Sequence, residues 1–213
     1  MDVPEIGEQN SPSFTTEEVS TISSKAGGYL RTLYILLAVT GLRIEEAVAL
    51  QAEDLRGAVL HDGHSRWNGK LYTPKTDAGI REVDIHPSLA SILREHIGKR
   101  TTGFVFQSSR GTPLARSNVL RRSLHKILQE MGRRKSGFHG FRRYRINPLR
   151  NERETEVPLR IWVGHATHGI TDRYTMDALK RDVKLRRETA EQVGLGFHMR
   201  DVETKLPVAP SAR

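Results

Sequence analysis

Six side chains that can bind a phosphate, move a proton or attack phosphorus lie just after glycines, at predicted helix starts or beside a hairpin turn. They are Arg43, Lys75, His139, Arg142, His165 and Tyr174. Two guanidiniums can grip the nonbridging oxygens of a phosphodiester, and two imidazoles can bind the same oxygens or handle protons. A lysine can protonate a leaving alkoxide, and a tyrosine becomes a nucleophile beside a base or cations. The set therefore predicts phosphoryl transfer in which fixed cations replace magnesium.

Each of these residues also has an ordinary explanation. Most tyrosines are half-buried amphipathic side chains, so Tyr174 alone is weak evidence for a nucleophile. Lys75 lies beside a predicted hairpin turn, where a lysine is usually solvated. Arg43 and Glu46 lie three positions apart and can form a solvated ion pair at a helix start, although the glycine turn before Arg43 could hold its guanidinium firmly. The chemical interpretation therefore requires the six side chains to meet at one place.

Metal and thiol chemistry receive little support from the sequence. The chain has no cysteine, which excludes a thiol nucleophile, a disulfide and a thiolate zinc site. His61 and His64 are close in sequence, but their spacing is loose and no carboxylate framework accompanies them. We therefore expect neither a metal site nor a cofactor.

Positive charge is concentrated in one part of the chain. The formal net charge is +9, yet between Arg110 and Arg160 there are 14 lysines and arginines against four acidic residues. Such a concentration predicts contact with a polyanion, most often a nucleic acid. The alternative is a basic face that is simply solvated.

A predicted helix at 118–131, capped by Ser117 and ended by Gly132, carries part of this charge. Its apolar face is formed by leucines, an isoleucine and Met131. The basic residues outside that face and in the following loop form what we call the basic surface, which we predict to contact DNA. They are Arg121, Arg122, Lys126, Arg133, Arg134 and Lys135.

The N-terminal half contains the elements expected to position Arg43. Thr15 and Glu18 match a capping box, which predicts a helix from there to about Ser24. Apolar periodicity predicts further helices over 29–39 and 43–50. Short β-prone stretches with intervening turn signals predict a small three-stranded antiparallel sheet; the stretches are 57–60, 70–73 and 81–85.

The C-terminal half contains the elements expected to position the histidines, Arg142 and the tyrosine. A helix is predicted over 87–97, and Phe104 to Phe106 form a short buried piece. The helix that begins near His139 should end or kink near Asn147, because Pro148 removes a backbone donor. Further helices are predicted from Pro158 to Val163 and over 178–193.

Four segments in order resemble the catalytic boxes of the tyrosine recombinases, the phage-integrase family. They are Thr40 to Glu46, Lys75 in Pro-Lys-Thr, His139 to Arg142, and Gly164-His165 followed by Tyr174. One box is weak evidence, but four in this order are specific. The resemblance covers about residues 15–180 and implies an α+β, mostly helical catalytic domain with a small three-stranded sheet.

The resemblance also implies a role for each residue. Tyr174 would attack DNA to give a 3′-phosphotyrosyl link and a free 5′-hydroxyl, which a second strand later reverses. Arg43 and Arg142 would bind the phosphate, with Glu46 supporting them. Lys75 would protonate the leaving 5′-oxygen, His139 would assist proton transfer from Tyr174, and His165 would hydrogen-bond the phosphate. No cofactor is implied.

The resemblance and composition together predict a domain plan. Residues 1–14 are expected to be a disordered lead, 15–177 the catalytic domain, 178–196 a helix that is a candidate for docking on a neighbouring subunit, and 197–213 a flexible tail. Double-stranded DNA is the expected partner, with self-association into a dimer or tetramer on it. A polar, acidic N-terminus and the absence of a long apolar run predict a cytoplasmic protein at the nucleoid, with no membrane contact.

Departures from the family pattern keep other functions open. The family usually has a helical DNA-gripping domain before the catalytic one, and here only about fourteen residues precede it, which predicts a catalytic fragment or a truncated relative. Asn147-Pro148 interrupts a helix that the family usually runs unbroken. Arg143 and His168 could substitute for Arg142 and His165. The alternatives are a DNA-binding module without catalysis and a type IB topoisomerase-like relaxing activity. An RNA-binding protein is more distant, since aromatic residues are 6% of the chain.

Overall fold

The structure is a computed structural model and describes residues 13–62, 65–67, 70–72, 81–108, 110–151 and 182–193.

Two packed helices open the fold. Helix α1 spans Thr16–Lys25 and has the predicted capping box: the Glu18 amide donates to Thr15 Oγ1 over 3.3 Å, and the Thr15 amide donates to Glu18 over 3.0 Å. Helix α2 spans Gly28–Thr40.

Helix α2 is the centre of the core and directs the chain to the candidate site. Its residues from Thr32 to Thr40 are all buried, as expected of a helix that is apolar on every side. It ends at Gly41, whose φ of 66° lies in the left-handed region that glycine adopts without strain. Helix α3, Ile44–Ala47, follows immediately.

Helix α3 is shorter than the predicted segment of 43–50. The chain becomes extended at its end, because the Val105 amide donates to the Leu50 carbonyl over 2.8 Å and Gln51 bridges to Phe104. A 3-10 turn at Ala52–Asp54 then leads to the sheet. Pairing with a segment some fifty residues away thus overrides local helix propensity, and propensity cannot reveal it.

The predicted three-stranded antiparallel sheet is present, with one strand reassigned. It contains β1 (Leu55–Arg56), β2 (Val59–Asp62) and β5 (Arg81–Asp84), in that order. Strands β3 (Ser65–Trp67) and β4 (Lys70–Tyr72) form a separate two-stranded hairpin. The predicted strand at 70–73 therefore pairs with its immediate neighbour, while β2 pairs directly with β5.

Two features join this sheet to the helical core. Leu60 and Val83 lie opposite each other in the register of β2 and β5, and both are fully buried. Helix α4 spans Pro87–Ile97, with the predicted bounds, and His86 Nδ1 caps it by accepting from the Ser88 amide over 3.2 Å. After α4, Val105 and Phe106 are fully buried, as predicted for the short piece at 104–106, whereas Phe104 is only partly buried.

The helix predicted over 118–131, which we call the basic helix, is divided into three parts. Helix α5 spans Arg116–Val119, a π-helical segment spans Leu120–Leu124, and α6 spans His125–Glu130. The prediction that Ser117 caps this helix is wrong, because the N-cap is Ala115 and has no side-chain hydrogen bond. The widened turn coincides with Ser123, which turns inward to bond with a buried tyrosine of α2.

Helix α7 carries two of the candidate catalytic residues and spans His139–Asn151. The helix does not end near Asn147, since it continues through Pro148, and the predicted alternative of a kink there stays a prediction. Pro148 lies in the last turn of the helix, where its missing amide removes one intrahelical hydrogen bond. Among the described residues the last helix is α8, Val183–Val193, which packs on β5.

The folded part includes a residue that the domain plan assigned to the lead. Phe14 is 3% exposed and belongs to the core. Its ring packs on Phe141 of α7. The folded domain therefore includes this residue, which precedes the capping box of Thr15 and Glu18. Among the described residues, no helix combines the length and apolar character that crossing a bilayer requires.

Candidate active site

A single pocket brings together residues from two distant parts of the chain. One wall is the turn between α2 and α3, and the other is the start of α7. The residues that line it are Leu42, Arg43, Ile44, Phe138, His139 and Arg142. Three of the six predicted catalytic residues therefore line one pocket. The chemical interpretation requires all six to meet, so it stays a prediction.

Arg43 is held by an acidic residue of the same short helix. It is the N-cap of α3, and its amide donates to Glu46 Oε2 over 2.7 Å. Its Nη1 also contacts Glu46 Oε1 at 2.9 Å. The Glu46 side chain is 10% exposed and that of Arg43 is 45% exposed, so a largely buried carboxylate orients a guanidinium that still reaches solvent. This geometry fits the predicted supporting role of Glu46.

Arg142 is fixed more tightly, through the backbone. It is 7% exposed, and its Nη1 donates to the Gly41 carbonyl over 2.7 Å, across 101 positions of sequence. Gly41 is also the left-handed residue that ends α2, so the turn that accepts from Arg142 lies two positions before Arg43. Thr40 supports this turn, since its hydroxyl donates to the Leu36 carbonyl and accepts from the Leu42 amide.

His139 is the first residue of α7 and is exposed. Three positions separate it from Arg142, which places both side chains on the same side of the helix. Arg143, which follows Arg142 directly, is partly buried and does not line the pocket. The helix therefore presents Arg142, rather than Arg143, to the site.

Buried aromatic packing fixes the position of α7. Phe141 stacks on Tyr34 of α2, with ring centroids 5.5 Å apart and planes 13° apart. The Tyr34 hydroxyl donates to Ser123 Oγ over 2.8 Å. Burial raises the pKa of Tyr34 to about 12, so this hydroxyl stays protonated at neutral pH. A rigid contact thus joins α2, α7 and the π-helical segment.

Sequence reasoning missed one charged residue near this site. Arg145 of α7 is 5% exposed, and burial lowers its pKa to about 10. It lies three positions after Arg142 on the same helix, and that spacing is the signal that could have drawn attention to it.

The other three predicted catalytic residues, Lys75, His165 and Tyr174, lie outside the described residues. The same holds for His168, which was considered as a substitute for His165, and for His64 of the rejected histidine pair. Their roles stay predictions. His61 is described, and its Nδ1 lies 3.6 Å from Glu82 Oε1 on the paired strand. In the part of the chain that the structure describes, no group of three or more histidines and acidic residues could hold a metal ion.

The basic surface is exposed at all six predicted positions. Arg133 differs from the others because its Nε lies 2.6 Å from Glu18 Oε1. Arg116, which was not predicted, pairs with Glu45 of α3 at 3.2 Å. That contact ties the first turn of the basic helix to the helix that Arg43 caps.

Comparison with known families and curated proteins gives one consistent result. The model of the phage integrase family matches residues 13–181. An integrase of Mycobacterium phage D29 is 25% identical over 202 residues, which cover 88% of this chain and 54% of the relative. A XerC-like tyrosine recombinase of Caldanaerobacter subterraneus subsp. tengcongensis is 27% identical over 192 residues, which cover 74% of this chain and 48% of the relative. The chain thus spans about half the length of these relatives.

Comparison with solved structures agrees with the fold. The Tn1549 transposon integrase, solved in complex with transposon right end DNA, superposes with a TM-score of 0.62 at 22% identity. The match covers 89% of this chain and 67% of that one. At this identity the likeness concerns the fold, which is that of a tyrosine recombinase catalytic domain.

Proposed function

The chain belongs to the phage integrase family, and on that premise we propose that it cuts and rejoins DNA strands at specific sites through a 3′-phosphotyrosyl intermediate. The observation that carries the proposal is the meeting of Arg43, His139 and Arg142 in one pocket. Structural packing alone gives no reason for two guanidiniums and an imidazole from separate segments to share a pocket. A bound phosphodiester supplies such a reason, because its oxygens accept from all three.

The proposed reaction conserves the number of phosphate ester bonds. The Tyr174 hydroxyl loses its proton, with His139 assisting, and its oxygen attacks phosphorus. The bond from phosphorus to the 5′-oxygen breaks, and Lys75 protonates that oxygen as it leaves. Attack by the 5′-hydroxyl of a second strand then restores a phosphodiester and frees the tyrosine.

In this scheme Arg43, Arg142 and His165 bind the nonbridging oxygens and stabilise the charge that develops in the transition state. Glu46 and the Gly41 carbonyl orient the two arginines. Because fixed side-chain cations supply this stabilisation, we propose that the reaction needs no metal ion. Cleavage at an unchanged rate in excess EDTA is the expected result, and restoration of lost activity by Mg²⁺ would contradict it.

The partner that we propose is double-stranded DNA, bound along the basic surface at the nucleoid, with two or more copies assembling on each site. Integrase relatives and the DNA-bound structure of the Tn1549 integrase support this choice. The charge concentrated between Arg110 and Arg160 supports it independently.

The test is covalent capture. The protein is incubated with a pool of nicked suicide duplexes made from random-sequence DNA, and adducts that survive denaturant are selected, amplified and sequenced. We expect an enriched common sequence with the wild-type protein and no adduct with Tyr174→Phe. Arg43→Ala and Arg142→Ala should each reduce adduct formation by a factor on the order of 100 or more.

Other outcomes identify the alternatives. Sequence-specific DNA retention without any adduct would assign the chain to a binding module and contradict the proposal. Relaxation of supercoiled plasmid without sequence preference would instead indicate topoisomerase-like chemistry.

A further inference from the structure

Phe14 lies directly on the helix that carries His139 and Arg142. Its ring occupies the space beside Gly140, the residue that follows His139. A Cβ atom at Gly140 would lie 2.6 Å from Phe14 Cε2 and 2.9 Å from both Cδ2 and Cζ. Atoms do not approach so closely without something shifting, so the ring and the first turn of α7 fit each other only because residue 140 is glycine.

The ring is also held by neighbouring groups. It meets Phe141 edge to face, with centroids 4.9 Å apart and planes at 65°. The Phe14 amide donates a hydrogen bond to the Gly140 carbonyl over 3.4 Å. The whole residue is 3% exposed. Phe14 thus contacts two consecutive residues of α7, both between His139 and Arg142 in sequence.

The chain beside Phe14 is anchored by contacts to residues outside α7. Thr15 caps α1, and Glu18, in the first turn of that helix, contacts Arg133 Nε at 2.6 Å and Nη2 at 3.1 Å. Arg133 belongs to the loop that leads into α7. Phe14 therefore has a fixed support on one side and the start of α7 on the other, which is the arrangement of a wedge.

We propose that Phe14 is a positioning residue for the candidate active site, and that its ring on Gly140 sets the first turn of α7 and with it the side chains of His139 and Arg142. The inference rests on the proposed strand cleavage. Displacement of catalytic groups by about 1 Å can slow a reaction roughly 100-fold. Loss of the wedge should therefore slow cleavage more than it weakens DNA binding.

The experiment is a double-mutant cycle measured with the suicide duplex recovered by selection. Phe14→Ala empties the space beside residue 140, and Gly140→Ala places a methyl group against the ring. In the double variant the methyl group of residue 140 enters the space that the ring has left. We expect cleavage at saturating protein to fall about 10- to 100-fold in each single variant, with DNA affinity within about twofold of the wild-type value. The double variant should cleave faster than Gly140→Ala.

Phe106→Ala is the matched control, because Phe106 is a fully buried phenylalanine that stacks on His96 and does not line the pocket. Assays are run at a temperature at which circular dichroism shows every variant folded, and Phe14→Leu replaces Phe14→Ala should that variant not fold. Equal cleavage by the wild-type, Phe14 and Phe106 variants would overturn the proposal, as would a double variant slower than both single variants.

A second readout separates this inference from the proposed function. Without any wild-type adduct the proposed function fails, but the wedge can still be tested by NMR. We expect Phe14→Ala to shift the amide resonances of His139, Gly140 and Arg142, and Phe106→Ala to leave them in place. Unchanged resonances in Phe14→Ala would show that the ring does not set this turn.

Discussion

At the residue scale, the two arginines of the pocket are held in different ways. Arg142 is buried and donates to the Gly41 carbonyl, whereas Arg43 is nearly half exposed and is oriented by Glu46. A guanidinium has five N–H donors in a planar fork, and both arginines line the same pocket. We therefore expect both side chains to contact the same phosphate.

Replacing Arg142 with lysine tests whether the guanidinium shape matters beyond its charge. Lysine keeps the charge but cannot bond a carbonyl and a phosphate with a planar fork. We expect Arg142→Lys to reduce single-turnover cleavage by about 100-fold. Arg143→Lys is the control, since Arg143 does not line the pocket. Equal losses in the two variants would contradict the assignment of Arg142.

Tyr34→Phe tests the buried contact behind α7. It keeps the ring stacked on Phe141 but leaves Ser123 Oγ without its donor, so we expect a loss of about 1 kcal/mol in the free energy of unfolding at pH 7. The pKa of Tyr34 is raised in the folded state to about 12. Its contribution is thus complete below the unfolded value of about 10 and is lost as pH rises through the folded value.

Denaturant titrations at several pH values measure this difference. The stability advantage of the wild-type protein over Tyr34→Phe should shrink between about pH 10 and pH 12. An advantage that is constant over this range would show that the hydroxyl is less buried than the structure places it.

At the element scale, α8 is attached to the sheet by ion pairs. Arg186 Nη2 lies 2.7 Å from Glu82 Oε2, and its Nε lies 2.9 Å from Asp84 Oδ2. Ala190 of the same helix is 2% exposed. The helix therefore docks on its own chain in this structure, and docking on a neighbouring subunit stays a prediction.

Arg186→Ala tests what holds α8. Asp84 is 3% exposed, and burial raises its pKa while Arg186 opposes that shift. Removing the arginine leaves a buried carboxylate without its main cation, so we expect a loss of about 2–3 kcal/mol at pH 7. Lys184→Ala is the control on the same helix, since the Lys184 side chain is 86% exposed.

The loss in Arg186→Ala should depend on pH. A carboxyl whose folded pKa is raised costs nothing while protonated, and the penalty appears as pH rises through the folded pKa. We expect Arg186→Ala to lie closer to the wild-type stability at pH 4 than at pH 7. Unfolding curves that separate equally at both pH values would contradict this account.

Local sequence signals predicted some helices well. They failed where contacts with distant residues determine where an element ends or which form it takes. Thr15 and Glu18 marked α1, Gly41 marked the end of α2, and 87–97 matched α4, because each signal acts within one turn of helix. The end of α3 and the π-helical segment depend on pairing with distant residues or on burial of Ser123. No local pattern contains that information.

At the scale of the whole molecule, charge is the property most readily inferred from sequence. The basic surface is exposed as predicted, but only the structure shows that Arg133 is paired with Glu18. The sequence likewise named Arg43, His139 and Arg142 from their positions after glycines and at a helix start. It could not identify the Gly41 carbonyl or Phe14 as parts of the surroundings, because those contacts follow from tertiary packing.

Salt dependence tests the basic surface as a DNA footprint. Each phosphate contact contributes about 0.9 to the slope of log affinity against log salt. We expect Arg121→Gln, Arg122→Gln and Lys126→Gln each to reduce the slope by about that amount. Arg133→Gln, which removes a residue already paired with Glu18, should reduce it less. A slope that none of the four substitutions changes would place the footprint elsewhere.

The central claim is that a phosphate gripped by Arg43 and Arg142 is attacked by Tyr174, and the most direct measurement is to find which residue carries the DNA. The covalent adduct is digested with nuclease and trypsin, and the peptide that retains a nucleotide is sequenced by mass spectrometry. We predict a nucleotide on Tyr174, in the peptide that runs from Tyr174 to Lys180, and its loss in Arg142→Ala. A nucleotide on any other residue, or an adduct undiminished in Arg142→Ala, would contradict the account.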